Sequence, residues 1–162
     1  MSHAVVASQE EQKAQRERDC FTAFLKSFGH SVEAARFESR KPPEPDIVYY
    51  AKTETIAFEL VEICDPNMAR MGAALAKTGG VQSVWTSDPT LGVIEQKFSK
   101  TYQTDWPLEL LCYFNDRLIP PDDQVCDQIL EIANRSELKF RRIWYCGAAR
   151  HCVYNPQNLA EL

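Results

Sequence analysis

Two runs rich in β-branched and aromatic residues, 46–51 (DIVYYA) and 55–63 (TIAFELVEI), are separated only by Lys52, Thr53 and Glu54. Such residues favour a pleated, half-buried surface, and a polar link this short turns the second run back beside the first. An antiparallel hairpin is therefore expected. It carries a carboxylate on each limb. Asp46 follows Pro45 at the start of the first run, and Glu59 interrupts the second between Ile56-Ala57-Phe58 and Leu60-Val61.

The elements around the hairpin follow from periodicity. Phe21, Phe24, Leu25 and Phe28 repeat at helical spacing, which predicts a helix over 10–28 stopped by Gly29. A strand is expected around 31–38, before Pro42, Pro43 and Pro45 break regular pairing. Residues 66–77 read as a helix ending at Gly79-Gly80, and Asp88-Pro89 as the cap of another carrying Leu91, Ile94, Phe98 and Tyr102 on one face. The almost continuous apolar run 108–115 (LELLCYFN) fits a strand covered on both faces. A helix over 122–134 with the stripe Val125, Ile129 and Ile132 follows, then strands over 140–147 and 151–154. A meander followed by a crossover into a buried strand predicts an α/β fold with a mixed β-sheet flanked by helices, in the order α-β-β-β-α-α-β-α-β. A chain of 162 residues buries about 70% of its unfolded surface, enough for one core. A single domain over 10–162 is expected, with 1–9 frayed.

Charge and composition exclude other classes. No apolar run approaches the ~20 residues of a membrane span. Residues 1–14 lack the apolar stretch of a secretory signal, and the six cysteines lie singly in apolar surroundings, so reduced thiols in a cytoplasmic protein are expected. With 18 basic against 23 acidic residues, the chain does not hold nucleic acid simply by being basic. The excess is concentrated: residues 46–105 hold five basic and eight acidic side chains, Asp46 and Glu59 among them. No phosphate-binding glycine loop, dinucleotide fingerprint or G-x-S-x-G motif is present, which leaves ATP hydrolysis, hydride transfer and serine esterase chemistry without support.

If the hairpin brings Asp46 and Glu59 to one end of a sheet, they require a proton, a cation or a divalent metal to remain there. Hard oxygen ligands suit Mg²⁺, which keeps waters and bridges to phosphate oxygens. Glu62 faces away from Glu59 by strand alternation and reads as a strand-end surface residue.

Pro45-Asp46, the strand 56–61 (IAFELV) and the order of helix and strands resemble the PD-(D/E)xK superfamily of restriction-endonuclease-like nucleases. The resemblance covers roughly residues 10–115 as an order of elements. It implies that Asp46 and Glu59 hold one or two Mg²⁺ or Mn²⁺ ions, with the Leu60 backbone carbonyl as a further ligand. It also implies an acidic residue from the first helix, for which Glu17, one turn before Phe21, is the candidate; a solvated helix-shoulder Glu is the alternative. The sequence departs from the pattern where Val61 stands in place of the usual lysine. Lys97 and Lys100, on the helix after the strand, are the candidates to supply that cation, or are ordinary solvated lysines. The activity implied is hydrolysis of phosphodiester bonds in DNA or RNA, with weak binding in the absence of metal and a homodimer for duplex substrates. The alternative is a catalytically silent binding or assembly module of the same fold.

Basic residues Lys139, Arg141, Arg142 and Arg150 surround Trp144 and Tyr145 near the C-terminal strands. Phosphate contact with aromatic stacking is one reading. Alternation, however, puts Arg141 and Arg142 on opposite faces, and a solvated edge that discourages strand pairing is the other reading.

Overall fold

The computed structural model describes residues 7–31, 35–63, 90–114, 121–135, 137, 139–147, 150–160 and 162. The helix expected over 66–77, its Gly79-Gly80 stop and the Asp88-Pro89 cap lie outside these residues.

Helix α1 (Gln9–Ser27) starts one residue before the expected boundary. Ser8 caps it: its hydroxyl accepts the Glu11 N–H at 3.2 Å, and Glu11 Oε2 accepts the Ser8 N–H at 2.7 Å. The Ser-x-x-Glu box satisfies two donors that a helix start leaves open. At the other end Gly29 takes φ +74°, a left-handed conformation that glycine adopts without steric cost.

Six strands lie side by side in chain order: β1 (Arg36–Ser39), β2 (Ile47–Tyr50), β3 (Thr55–Glu62), β4 (Leu108–Tyr113), β5 (Ile143–Cys146) and β6 (Arg150–Tyr154). Pairing is antiparallel from β1 to β3, parallel from β3 to β5, and antiparallel again between β5 and β6. Helix α2 (Thr90–Ser99) precedes β4, and α3 (Asp122–Arg135) joins the two parallel neighbours β4 and β5 as a crossover. The chain is thus α/β, a mixed sheet flanked by helices.

Alternation along the strands divides the core. On one face Phe21, Phe24 and Leu25 of α1 pack on Ile56, Phe58, Leu60, Leu111 and Trp144. On the other, Ile94 and Phe98 of α2 and Val125, Ile129 and Ile132 of α3 pack on Val61, Ile63, Leu110, Cys112 and Ile143. Strand β4 is therefore covered on both sides, as its almost continuous apolar run predicts. Each fully buried Phe or Leu contributes about 1.5–3 kcal/mol over leaving it exposed. The described cysteines are free thiols. Among the described residues no helix is long and apolar enough to cross a membrane.

The strand expected from residue 140 starts only at Ile143. Arg141 and Arg142 therefore precede it, and the strand alternation that separates them onto opposite faces does not apply. Both reach the same carboxylate, Glu109. Trp144 and Tyr145 are buried in the two cores, so neither ring is available for stacking on nucleic acid.

Candidate functional site

The β2–β3 ladder ends at the pair Ile47 and Phe58. Carried one step further, this register sets Asp46 opposite Glu59. The N–H groups of Ala57 and Ile63 donate to the β4 side, to Pro107 O at 2.9 Å and Tyr113 O at 2.7 Å. A strand residue presents its N–H and C=O to the same edge, so those of Leu60 face the side on which β2 has ended. Asp46 Oδ2 accepts the Leu60 N–H there at 2.9 Å, and the Leu60 carbonyl opens onto the same corner.

Side chains converge on this corner from both faces of the sheet. Glu59, on the α2 face, lies 2.5 Å from Lys97 Nζ. Glu17, brought in on the buried stripe of α1, pairs at 2.7 Å with Lys13 Nζ, which also stands 3.5 Å from Asp46 Oδ1. Tyr102 donates its hydroxyl to the Lys97 carbonyl at 3.0 Å, tying down the end of α2. Lys100 is exposed, and its charge is the smallest of those acting on Glu59. Its backbone carbonyl accepts from Lys139 Nζ. The corner thus gathers Asp46, Glu59, Glu17, Lys97 and the Leu60 carbonyl, and leaves Lys100 outside.

Electrostatics follow from this burial. Glu59 is 4% exposed, and desolvation, then the Asp46 charge, raise its carboxyl above the ordinary value against the opposing pull of Lys97. Glu17 is raised for the same two reasons. Burial lowers Lys13, but its hydrogen bond to Glu17 and the Asp46 charge together outweigh that and raise it. Burial, then the Glu59 and Asp46 charges, push the Tyr102 phenol upward, so it stays a donor. Three carboxylates meet two ammonium groups, which leaves the corner with one negative charge in excess.

Among the described residues no three His, Cys, Asp or Glu side chains form a ready-made metal cage. Mg²⁺ does not need one, because it is commonly held by one or two carboxylates with waters and substrate phosphates completing its shell. Asp46, Glu59 and the Leu60 carbonyl are hard oxygen donors on a partly desolvated corner that is short of positive charge, and they fit such an ion. Val61, at the position where the nuclease pattern has lysine, is buried in the core under α2. Glu62, expected at the surface, is half-buried, and its Oε1 has no hydrogen-bond partner among the described residues.

Two features escaped the sequence reading. Lys13 is one, for which the i, i+4 spacing to Glu17 is the usable signal. Glu109 interrupts the apolar run of β4 as Glu59 interrupts that of β3, and it is fully buried on the α1 face. Its Oε1 accepts from Arg141 Nε at 3.0 Å and Arg142 Nε at 2.8 Å, and its Oε2 from Trp144 Nε1 at 2.8 Å. Arg141 also forks onto Glu54 at 2.8 and 2.9 Å, and Arg142 Nη1 donates to Ala160 O at 2.7 Å. This second cluster ties the β2–β3 turn, β4, the entry to β5 and the C-terminal segment together.

No protein family, curated protein or solved structure matches this chain.

Proposed function

We propose that the chain is a metal-dependent nuclease of the restriction-endonuclease-like kind, hydrolysing phosphodiester bonds in DNA or RNA in the cytoplasm, as a homodimer where the substrate is duplex. The observation that carries the reading is the Lys97–Glu59 pair. A cation from a separate helix reaches the carboxylate corner and stands in for the lysine that Val61 does not provide. The location agrees with a general property of open α/β sheets, whose ligands collect toward the carboxyl ends of parallel strands. The corner lies in the half of β3 nearer its carboxyl end, past the ladder with β2.

Asp46, Glu59 and the Leu60 carbonyl would hold Mg²⁺ or Mn²⁺, with Glu17 adding an oxygen. When bound, such an ion supplies an activated water and stabilises charge developing at phosphorus. Lys97 sets a fixed positive charge beside the same carboxylates, suited to orienting the attacking water and offsetting negative charge on a non-bridging oxygen. Tyr102 holds the backbone from which Lys97 projects. Nucleic acid enters as a locally bound substrate, because the net charge of −5 opposes broad attraction to phosphate.

Incubation of the purified protein with plasmid DNA and with RNA in Mg²⁺ or Mn²⁺, alongside Glu59→Ala, tests the reading. Cleavage by the wild type that disappears in Glu59→Ala is the expected result. Cleavage that persists in the variant removes Glu59 from the chemistry. A silent binding or assembly module is the second reading, favoured by the burial of Val61 in the apolar core. It predicts no saturable heat on titration with either metal.

A further inference from the structure

The two lysines of the corner differ in how they are held. Lys97 is 14% exposed in its side chain and closes on a single carboxylate. Lys13 is 56% exposed, lies one turn before Glu17 on the same face of α1, and spans two carboxylates. One oxygen of Asp46 is committed to the Leu60 N–H, so the oxygen Lys13 faces is the one left for a ligand. The Lys13 ammonium therefore stands against the open donor atom of Asp46 and, 2.7 Å away, against the only carboxylate that α1 brings to the corner among the described residues.

Charge counting separates two outcomes. A divalent ion added with both lysines in place would turn the corner from one net negative charge to one net positive. With Lys13 withdrawn, the same ion leaves it neutral. Like charges crowded into a partly desolvated site are strongly disfavoured, and an exposed flexible lysine leaves such a site at little cost because exposed ion pairs are weak.

We propose that Lys13 is an exchangeable internal cation: it occupies the ligand face of Asp46 and Glu17 in the metal-free protein and gives up that position when a divalent ion binds, so that Lys13 sets the metal affinity. This rests on the metal-site reading above and adds a regulator to it. Lys97, enclosed beneath α2, stays in place.

Calorimetric titration of the full chain with Mg²⁺, for wild type and Lys13→Gln, gives the first measurement. The second is the rate at which an amine-acylating reagent labels Lys13 and Lys97, followed by mass spectrometry with and without Mg²⁺. Lys13→Gln is expected to bind Mg²⁺ about tenfold more tightly, since a competing cation is gone. Acylation of wild-type Lys13 should accelerate several-fold at saturating Mg²⁺ while that of Lys97 stays unchanged. Saturable binding by the wild type with the same affinity in Lys13→Gln, or with unaltered Lys13 labelling, overturns the exchange and leaves the metal site standing. Absence of saturable heat in both proteins overturns the metal site, and the exchange with it. A general effect of lost charge, without exchange, would tighten binding but leave the labelling rate flat, which also overturns the proposal.

Discussion

Glu109 and Glu59 lie on neighbouring strands, one register step apart, and point to opposite faces of the sheet. Both interrupt apolar runs and both are buried. Their partners differ. Glu109 meets guanidinium groups and an indole N–H that use both of its oxygens in fixed, planar geometry. Arginine remains charged under all ordinary conditions, and its fork matches a carboxylate, so the cluster is closed. Glu59 meets one lysine, on a flexible stem, while Asp46 beside it pushes the other way. A saturated carboxylate holds a fold together. One left short of cationic partners, next to another carboxylate and an outward-facing carbonyl, is equipped to take a ligand.

The sharpest test substitutes each carboxylate by its neutral isostere. Glu109→Gln leaves Arg142 buried without its counter-charge and is expected to cost about 3–5 kcal/mol in denaturant unfolding. Glu59→Gln takes the carboxylate from the enclosed Lys97 but relieves the repulsion from Asp46, so it is expected to cost less, about 1–2 kcal/mol, while removing the proposed cleavage and Mg²⁺ heat. Equal losses of stability would make the corner a second structural clamp and end the distinction. Lys97→Met is next in size: cleavage should fall by about 10²–10³-fold in single-turnover assays, as when one charge-stabilising donor is lost. An unchanged rate would remove Lys97 from catalysis. Trp144→Phe removes the donor to Glu109 Oε2 together with part of a buried ring packed on Phe24 and Phe28, and is expected to destabilise by about 2–3 kcal/mol. A neutral result there would mean that the arginines alone satisfy Glu109.

The smallest effect is in pH. Glu17 and Glu59 titrate above the ordinary 4.5 in the folded chain, so the folded state takes up protons that the unfolded state does not. Their contribution to stability is fully present below 4.5 and is lost as pH rises through the raised folded values. Glu54 is the reverse: the hydrogen bond from Arg141 leads in lowering its carboxyl, so its contribution is present above 4.5 and lost as pH falls through the lowered value. Thermal melting of metal-free protein should show Glu17→Gln flattening the curve above pH 4.5 and Glu54→Gln flattening it below. Identical curves for both variants would contradict the assignment of opposite electrostatics to the two clusters.

The corner was legible in sequence where a charged residue broke a strongly apolar context. Asp46 and Glu59 announced themselves because a short hairpin cannot separate its limbs, and Glu17 because it falls on the stripe of Phe21 and Phe24. Lys97 was legible from its place beside Val93 and Ile94, although Lys100, on the same edge, ends in solvent. Lys13 was not, because its bridge to Asp46 depends on how α1 docks against the sheet. Glu109 offered the same signal as Glu59, but a strand running from residue 140 would put its two arginine partners on opposite faces. Their convergence requires β5 to begin at Ile143, and apolar periodicity placed that boundary three residues too early.

The bond from Asp46 to the Leu60 N–H has a meaning apart from any ligand. A strand edge with open N–H groups is a template on which a second chain can add. Past Phe58 the ladder between β2 and β3 has stopped, and the Asp46 carboxylate occupies the N–H at Leu60, with a negative charge that repels an incoming backbone carbonyl. Asp46 therefore blocks the addition of a strand at Leu60 as well. Its removal to alanine mixes a chemical defect with a solubility defect, whereas asparagine, which keeps an acceptor oxygen for Leu60, separates the two.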